Sequence, residues 1–263
     1  MRISERWLRE WVDPPLDTEA LARCLTMAGH EVEAVHPEGT ELEGVVVAEV
    51  LAVASHPDAD RLSVCRVSIG NGDAVDVVCG APNVRAGMKS PFAGPGTRLP
   101  NGLELRRTKI RGVVSNGMLC SAIELALGEE SGGILELPAA ARPGTPLAEL
   151  LGFPDAVLDI NLTPNRGDCF SVRGLARDLA AASGQPLANA IAPSVKQRIR
   201  ERHEVVVETA AACPRFAGRV IRGIDAHASS PLWMTERLRR SGIRGIHPVV
   251  DVTNYVMLEL GQP

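Results

Sequence analysis

Aromatic residues are the scarcest group in this sequence, at 3% of its 263 positions. The hydrophobic content is nevertheless 45%, so the cores must be built from valine, leucine, isoleucine and alanine. Such a content is typical of globular proteins and excludes an intrinsically disordered chain. Because single-stranded nucleic acids are usually held by stacking on aromatic rings, the scarcity counts against a dedicated single-strand binder.

Long apolar runs and paired cysteines are also missing. No stretch approaches the ~18 apolar residues of a membrane span, and the amphipathic start MRISERWLREWV is not a signal peptide. The six cysteines, at positions 24, 65, 79, 120, 169 and 213, form no Cys-x-x-Cys pair and have no closely spaced histidine. This spacing predicts no structural zinc site and no metal ligand. We therefore expect a soluble cytoplasmic protein with reduced cysteines.

A large excess of one charge is absent as well. Lysine and arginine number 28 and aspartate and glutamate 32, which gives a formal net charge of −4. This mild value excludes a protein that coats DNA through bulk electrostatics, so nucleic-acid binding would need a local cationic patch. The sequence also has no glycine-rich phosphate loop of the P-loop kind and no credible Ser-His-Asp set. It predicts no catalytic residue and no bound cofactor.

The most basic stretch runs from Leu103 to Ser121, LELRRTKIRGVVSNGMLCS. Two interpretations fit its cations. Lysines and arginines on an edge strand discourage unwanted strand pairing. The same side chains on a small barrel would bind nucleic-acid phosphates. Spacing alone favours the edge strand, and the neighbouring motifs favour phosphate binding.

Two separated segments are predicted to form one small α+β domain. In residues 1–38, Ser4 and the Leu16-Asp17 pair mark the starts of two helices, and Glu31–Val35 alternates like a strand. Residues 150–190 repeat this style, with a strand at 156–162 and a helix capped by Ser171. Neither segment alone has enough elements to bury a core, so we expect them to pack together.

The region between them, residues 39–148, is predicted to be a small barrel. Val-rich segments alternate with turn signals such as His56-Pro57-Asp58 and Gly94-Pro95-Gly96. An oligonucleotide-binding (OB) barrel has a suitable size. The strand-like segments are Gly44–Ala54, Leu62–Ile69, Ala74–Cys79, Ser90–Phe92, Leu103–Ile110 and Ile134–Leu137.

The last part of the chain is predicted to begin another domain. Residues 191–203 are polar and basic and are expected to be a linker. Residues 204–263 then read as the truncated start of an α/β domain. It has β-like runs at 204–208 and 219–221 and a helix carrying Trp233, Leu238 and Ile243.

Four motifs in the barrel region resemble the tRNA-binding OB domain of several aminoacyl-tRNA synthetases and free-standing tRNA-binding proteins. They are HPDADRLSVCRV at 56–67, VVCGAPNV at 77–84, KIRGVVSNGMLCS at 109–121 and ESGGILELP at 130–138. The flanking TPNRGDCFSVRGLARDLA and PVVDVTNYVMLELGQP resemble the β-subunit family of bacterial phenylalanyl-tRNA synthetases. That resemblance implies an α+β multidomain fold, in which an OB barrel is inserted into a small α+β domain and is followed by the start of an α/β editing-type (B3/B4-like) domain.

Cations and amides of the barrel are the candidate tRNA contacts. Guanidinium groups bind phosphate oxygens in bidentate fashion, whereas hydroxyls and amides can donate to sugar or base edges. The alternative for Arg61 is a structural role in a tight turn at 56–61 that a local ion pair closes, and the alternative for Asn83 is turn formation. Acidic residues slightly outnumber basic ones in this region, and Phe92 is its only aromatic residue, so we expect weak, salt-sensitive binding. The candidates are Arg61, Asn83, Lys89, Arg106, Arg107, Lys109, Arg111, Ser115 and Asn116.

Two further groups have structural and functional interpretations. Asp251 or Thr253 could cap a helix at a strand-to-helix junction, whereas the resemblance places Asn254 in the wall of a site that hydrolyses mischarged tyrosyl-tRNA. Arg166, Asp168 and Arg173 are interpreted as a salt-bridged cap.

The resemblance also implies partners and cofactors. It implies a synthetase α subunit that carries the aminoacylation chemistry, an α2β2 assembly, tRNA as ligand, and ATP and Mg²⁺ for the complete enzyme. It implies neither DNA nor a membrane as partner. The alternatives are a free-standing tRNA-binding or chaperone protein and a single-stranded nucleic-acid binder; the flanking motifs and the scarce aromatics count against them.

Overall fold

The computed structural model describes residues 1–39, 41–72, 74–129, 132–189 and 194–262. Parts of the predicted turn at 70–73, of the 130–138 motif and of the 191–203 linker lie outside these residues. The strands are β1 Arg2–Ser4, β2 Glu31–Glu38, β3 Val45–His56, β4 Ala59–Ser68, β5 Ala74–Cys79, β6 Lys89–Ala93, β7 Thr108–Ile110, β8 Val113–Ser115, β9 Met118–Leu119 and β10 Asp155–Asn161. The helices are α1 Glu5–Arg9, α2 Thr18–Met27, α3 Leu147–Leu150, α4 Val172–Ser183, α5 Leu232–Arg240 and α6 Pro248–Leu260, with a 3₁₀ segment at Pro164–Cys169.

The two ends of the first 190 residues share one sheet and one core. The antiparallel sheet has the strand order β1-β10-β2, so β10 from the later segment lies between two strands of the first segment. The buried side chains of the shared core include Trp7, Leu21, Leu158 and Leu175, which come from both segments. Packing helices on one face of a three-stranded sheet buries apolar surface that neither segment could bury alone.

The helix starts predicted from sequence are confirmed. The Ser4 hydroxyl accepts the amide N–H of Trp7 at 3.2 Å, the Asp17 carboxylate accepts that of Ala20 at 2.7 Å, and the Ser171 hydroxyl accepts that of Gly174 at 3.0 Å. Each bond satisfies one of the backbone donors that a helix leaves unpaired in its first turn.

The intervening region forms a second antiparallel system. Five strands lie in the order β5-β4-β3-β6-β9, and β7 pairs with β8 as a separate two-stranded hairpin. Two clusters of buried residues lie in and beside the sheet, one around Val47, Leu99 and Leu147 and one around Cys65 and Phe92. The fold is therefore a mixed α+β structure with antiparallel sheets. Closure of the second system into an OB barrel stays a prediction.

Two of the predicted strands are shorter than expected. Of residues 103–110, only Thr108–Ile110 form a strand; Arg98 and Glu104 make an isolated bridge. Of residues 134–137, only Leu137 makes a bridge, to Lys89. The Asn101 side chain accepts the amide of Leu103 at 3.0 Å, which stabilises a turn instead of a ladder.

The C-terminal part differs from the α/β start predicted from sequence. The described residues 194–230 contain no helix and no strand, so the β-like runs at 204–208 and 219–221 do not form strands. The predicted helix is α5, and Ile243 lies beyond its end. The cap of α6 is His247, whose Nδ1 accepts the amide of Val249, and not Asp251 or Thr253.

Helices α5 and α6 pack against the first core. Tyr255 of α6 stacks on Trp7 with ring centroids 5.0 Å apart, and Arg240 of α5 forms a buried ion pair with Asp155 of β10. The C-terminal helices thus extend the core built by residues 1–38 and 150–190. Within the described residues, each helix is too short or too polar to cross a lipid bilayer.

Candidate nucleic-acid interface

The basic stretch forms a tight hairpin. Ile110 pairs with Val113, which leaves Arg111 and Gly112 as a two-residue loop with φ angles of 43° and 91°. Positive φ at both central positions is the signature of a type I′ turn, whose twist suits a β-hairpin. Glycine adopts this conformation freely, but an arginine does so at a steric cost. The backbone conformation at Arg111 is therefore strained for a residue that carries a side chain.

A second hairpin tip contacts the first. Strands β3 and β4 are joined through Pro57 and Asp58, so the predicted turn at 56–58 is confirmed. The Arg111 guanidinium donates to the Asp58 carbonyl at 3.3 Å, and His56 Nε2 lies 3.1 Å from the Ile110 carbonyl. His56 Nδ1 accepts the amide N–H of Asp58 at 3.1 Å, so the ring proton is on Nε2 and is donated to Ile110. The buried histidine joins the two tips.

Four cations on or beside these two hairpins define what we call the hairpin-tip surface: Arg61, Arg107, Lys109 and Arg111. All four residues are exposed. Arg61, Arg107 and Lys109 make no ion pair with any other residue in the described part of the chain. The local ion pair expected for Arg61 in the 56–61 turn is therefore not formed there. Charged side chains that remain solvated can bind phosphate at little desolvation cost.

Arg106 and Lys89 are placed differently. Arg106 is exposed but donates to Glu104 at 3.0 Å, so a carboxylate already balances its charge. Lys89 is half-buried on β6, and its Nζ donates to the carbonyl of Ala141 at 2.6 Å. The structure gives Lys89 an internal role and does not bring it to the hairpin-tip surface.

Three polar candidates make hydrogen bonds within the chain. The Asn83 amide makes a reciprocal pair with the backbone of Ile134, at 2.8 and 3.0 Å. Buried Ser115 accepts the amide N–H of Val78 at 3.0 Å and donates to Gly117 at 2.9 Å. The Asn116 side chain donates to the carbonyl of Asp76 at 3.2 Å. These bonds fix loops and the β8–β5 contact.

The surroundings of the hairpin-tip surface limit its binding strength. Phe92, the only aromatic residue between 39 and 148, is 4% exposed and packs in a core cluster. No ring is therefore available for base stacking in the described part of this region. The acidic Asp58 and Asp60 lie at the same tips and are exposed. The arrangement can attract a phosphate backbone, but it cannot grip bases by stacking.

Sequence reasoning missed His56 as the residue that joins the tips. Its bond to Ile110 spans 54 positions, and no local pattern reports such a contact. The Arg111-Gly112 dipeptide between two Val- and Ile-containing runs was a usable signal, because glycine in the second position of a two-residue loop is typical of hairpins.

Replacing Arg111 with asparagine is expected to raise the free energy of unfolding by about 0.5–1 kcal/mol. Asparagine adopts positive φ more easily than arginine, and the lost bond to Asp58 is solvent-exposed. Urea denaturation measures the change. Arg107→Asn is the matched control, since it removes the same charge outside the turn, and it should give no gain. Equal effects of the two substitutions would contradict the strain at Arg111.

The polar residue proposed for the editing wall lies inside a helix. Asn254 is half-buried in the middle of α6, and its side chain makes no hydrogen bond with another described residue. One turn earlier, the Asp251 carboxylate accepts the Ile246 amide at 2.8 Å and the hydroxyl of Ser230 at 2.5 Å. Asp251 thus fixes the loops that precede α5 and α6.

The predicted salt-bridged cap has a different membership. Arg166 and Arg177 both donate to Asp168, at 3.1 and 2.5 Å, whereas Arg173 lies 6.0 Å from the ring of Trp11. Hydrogen bonding from Arg166 lowers the pKa of Asp168 to about 2. Arg166 also pairs with Asp178 of α4. Arg177 and Asp178 lie beside the 3₁₀ segment, and Arg173, one turn earlier on α4, lies over Trp11 instead.

Two protein-family models match the chain. The model described as "Putative tRNA binding domain" matches residues 45–146, which contain the hairpin-tip surface. The model described as "B3/4 domain" matches residues 212–263, which contain α5 and α6. Among solved structures, a MetRS-related protein from Pyrococcus horikoshii is similar over 38% of this chain and 85% of its own. The identity is 21% and the TM-score 0.29, a likeness too low to identify the fold.

Curated relatives match the chain from end to end. The phenylalanine--tRNA ligase beta subunit of Coxiella burnetii is 56% identical over 263 residues, and those of Methylococcus capsulatus and Pseudomonas putida are each 51% identical. The match covers 100% of this chain and 33% of each relative. The chain therefore spans about a third of the length of these proteins. Over all of its residues, the chain is similar to phenylalanine--tRNA ligase beta subunits.

Proposed function

We propose that this chain supplies tRNA binding and part of an editing domain to a phenylalanine–tRNA ligase. The observation that carries the proposal is the 56% identity to a beta subunit over all 263 residues. The similarity includes the flanks of the tRNA-binding region, which a free-standing tRNA-binding protein would not need. In the complete enzyme, the ligase attaches phenylalanine to its tRNA at the expense of ATP.

The catalytic step of that reaction belongs to a partner in this proposal. We infer an α subunit that holds ATP and Mg²⁺, joined to the β chain in a hetero-oligomer of α2β2 composition. The described residues of the present chain would contribute no catalytic group. Six cysteines that are all free support a reducing compartment, which is the cytoplasm in this proposal.

The domain division is part of the proposal. Residues 1–38 and 150–190 would form one domain, supported by the strand order β1-β10-β2. Residues 39–148 would form the OB-fold domain, supported by the family match at 45–146. Residues 191–203 would link these to 204–263, the start of the editing domain, supported by the match at 212–263. Asn254 on α6 would belong to the wall of the editing site.

The hairpin-tip surface is the proposed contact with the tRNA backbone. Arg61, Arg107, Lys109 and Arg111 are exposed, whereas Asn83, Lys89, Ser115 and Asn116 make internal bonds that would support the loops behind them. The acidic neighbours and the missing aromatic platform favour weak, shape-guided binding that depends on salt.

Binding to unmodified tRNA across a salt series tests this proposal. We expect the logarithm of the association constant to fall linearly with the logarithm of salt concentration. Each lost phosphate contact should reduce that slope by about 0.7–0.9, so Arg107→Ala with Lys109→Ala should reduce it by up to roughly 2. A DNA duplex serves as the competitor control and should bind more weakly than tRNA.

The matched control variant is Arg23→Ala. Arg23 lies on α2, is exposed and pairs with Glu19 at 3.5 Å, so its loss changes the net charge by as much as either single substitution but away from the hairpins. Its slope should match that of the unsubstituted chain. If the Arg107 and Lys109 variants behave like the Arg23 variant, the hairpin-tip surface is not the phosphate contact and its cations are protective edge charge.

A further inference from the structure

Three potential metal ligands from distant parts of the sequence meet beside the first core. They are His30 in the turn after α2, Cys169 at the end of the 3₁₀ segment and Asp178 on α4. Their ligand atoms all lie within 4.8 Å of one another. His30 Nε2 is 3.0 Å from Asp178 Oδ2, and the Cys169 sulfur is 3.6 Å from the same oxygen. The sequence predicted no such cluster, because 138 residues separate His30 from the nearer of its two partners.

The donor set has a definite chemical preference. A thiolate, an imidazole nitrogen and a carboxylate oxygen are the three ligand types that bind Zn²⁺ in proteins. Mg²⁺ and Ca²⁺ prefer oxygen ligands alone. His30 and Cys169 are both fully buried, while the side chain of Asp178 is 22% exposed. Two ligands are thus held rigidly inside the core, and the third faces the route by which an ion would enter.

A cation already lies among these ligands. Arg166 Nη2 is 2.8 Å from the Cys169 sulfur and donates to Asp178 Oδ2. The same guanidinium has a second carboxylate within reach, since Arg166 Nε donates to Asp168 Oδ1 at 3.1 Å on the exposed side. Arg166 can therefore leave the cluster and keep an ionic partner. Its contacts with two of the three donors show that a positive charge is accommodated there.

We propose that His30, Cys169 and Asp178 form a site for a divalent ion of the Zn²⁺ class, which displaces the Arg166 guanidinium when it binds. The ion takes the thiolate of Cys169, Nε2 of His30 and one oxygen of Asp178, and the thiol proton is released to solvent. Water completes a tetrahedral shell. Arg166 then pairs with Asp168 alone.

The site acts on stability and not on the reaction proposed above. Its ligands come from the α2–β2 turn, the 3₁₀ segment and α4, so a bound ion ties together the two separated segments of the first core. Binding to the folded state alone stabilises a protein by mass action. The inference rests on contacts within this core and does not depend on the assigned ligase role.

Titration of the full chain with Co²⁺ under reducing conditions tests the site directly. Co²⁺ reports a thiolate ligand by a near-ultraviolet charge-transfer band and a tetrahedral site by intense visible bands. We expect both bands to saturate at one equivalent and to disappear on addition of Zn²⁺. Cys169→Ser should abolish the charge-transfer band, and Cys213→Ser, at an exposed cysteine, should leave it unchanged.

Two further variants keep the proposal falsifiable if Cys169→Ser does not fold. Asp178→Asn should weaken the bands, and Arg166→Gln should strengthen Co²⁺ binding because the competing cation is gone. The proposal is overturned if the unsubstituted chain shows no charge-transfer band or keeps it in Cys169→Ser. It is also overturned if only Arg166→Gln gives the band, since the arginine would then exclude the ion.

Discussion

Replacing Asp155 with alanine is expected to lower the free energy of unfolding by about 3–5 kcal/mol, because it breaks a buried ion pair and leaves Arg240 with only the longer, 3.4 Å ionic contact to Glu236. The side chain of Asp155 is 0% exposed and that of Arg240 is 6% exposed. Arg240 Nη1 donates to Asp155 Oδ2 at 2.6 Å, and the guanidinium also donates to the Leu151 carbonyl at 2.6 Å. Without the carboxylate, a cation held over the Phe153 ring would remain buried with too few acceptors.

Asp155 also satisfies donors near the chain start. Its Oδ2 accepts the Ser4 hydroxyl at 2.5 Å, and its Oδ1 accepts the amide N–H of Arg6 at 3.0 Å. Ser4 is the cap of α1, so one carboxylate connects β10, the first helix and α5. Leaving buried donors without acceptors adds a desolvation cost to the loss of the ion pair.

Urea denaturation measures the free energy of unfolding of Asp155→Ala, and Asp159→Ala is the control on the same strand. Asp159 lies on the same strand, pairs with Arg2 at 3.2 Å and has a side chain that is 27% exposed. Ion pairs near the surface contribute about 0–1 kcal/mol, so the control should unfold close to the unsubstituted chain. If Asp155→Ala lowers the free energy of unfolding by less than about 1 kcal/mol, water replaces the carboxylate. The contacts of Asp155 with Ser4, Arg6 and Arg240 are then not required for stability.

The parts of the fold that sequence predicted are those fixed by short-range chemistry. Ser4, Asp17 and Ser171 cap helices because each acts on an amide three residues ahead. The hairpin tip at 57–58 follows from turn-forming residues between two strand-like runs. These interactions depend only on neighbours along the chain, and a linear pattern records them.

The features that sequence did not predict depend on residues far apart in the chain. Arg240 and Asp155 are separated by 85 positions, and His56 and Ile110 by 54. The run at 204–208 shows the opposite error, since its three consecutive valines suit a strand but the described chain offers no partner strand. Strand propensity reflects packing against neighbours, so a run without neighbours stays irregular.

The residues of the candidate site show the same distinction between local features, which sequence predicted, and long-range contacts, which it did not. The exposure of Arg107 and Lys109 was predictable because they lie in a stretch with many charged residues. The internal use of Asn83, Lys89 and Ser115 was not, since each bonds to a backbone group at least 37 positions away or across a turn. A polar side chain in a turn-rich β-sheet region has many backbone groups to satisfy, and only the fold decides which ones it meets.

Trp7→Ala is the second substitution with a large expected cost, at about 3–5 kcal/mol, because it removes a large buried aromatic side chain. Trp7 is 1% exposed and stacks on Tyr255 at 5.0 Å and 19° between ring planes. Arg237 lies 5.2 Å from the Trp7 ring, and the indole N–H donates to Glu259 at 3.3 Å. The substitution should therefore also loosen α6, which carries both Tyr255 and Glu259.

Tyr255 offers a direct measure of that loosening, since it is the only tyrosine of the chain. Burial, together with the bond its hydroxyl donates to Glu259 at 2.9 Å, raises its pKa to about 12. The unfolded chain has a tyrosine pKa of about 10 and so loses this proton first. The native contacts of neutral Tyr255 thus contribute stability below pH ~10, and that contribution declines as pH rises from ~10 to ~12.

Absorbance at a phenolate wavelength, recorded against pH together with unfolding in urea, tests both expectations. In the unsubstituted chain the single phenol should titrate well above pH ~10, and in Trp7→Ala its midpoint should fall toward that value. Trp7→Phe is the control: it keeps a ring against Tyr255 and should retain most of the shift at a smaller stability cost. An unchanged midpoint in Trp7→Ala would mean that the Trp7–Tyr255 stack does not hold α6 on the core. The cost of the substitution would then be that of a cavity in the first core alone.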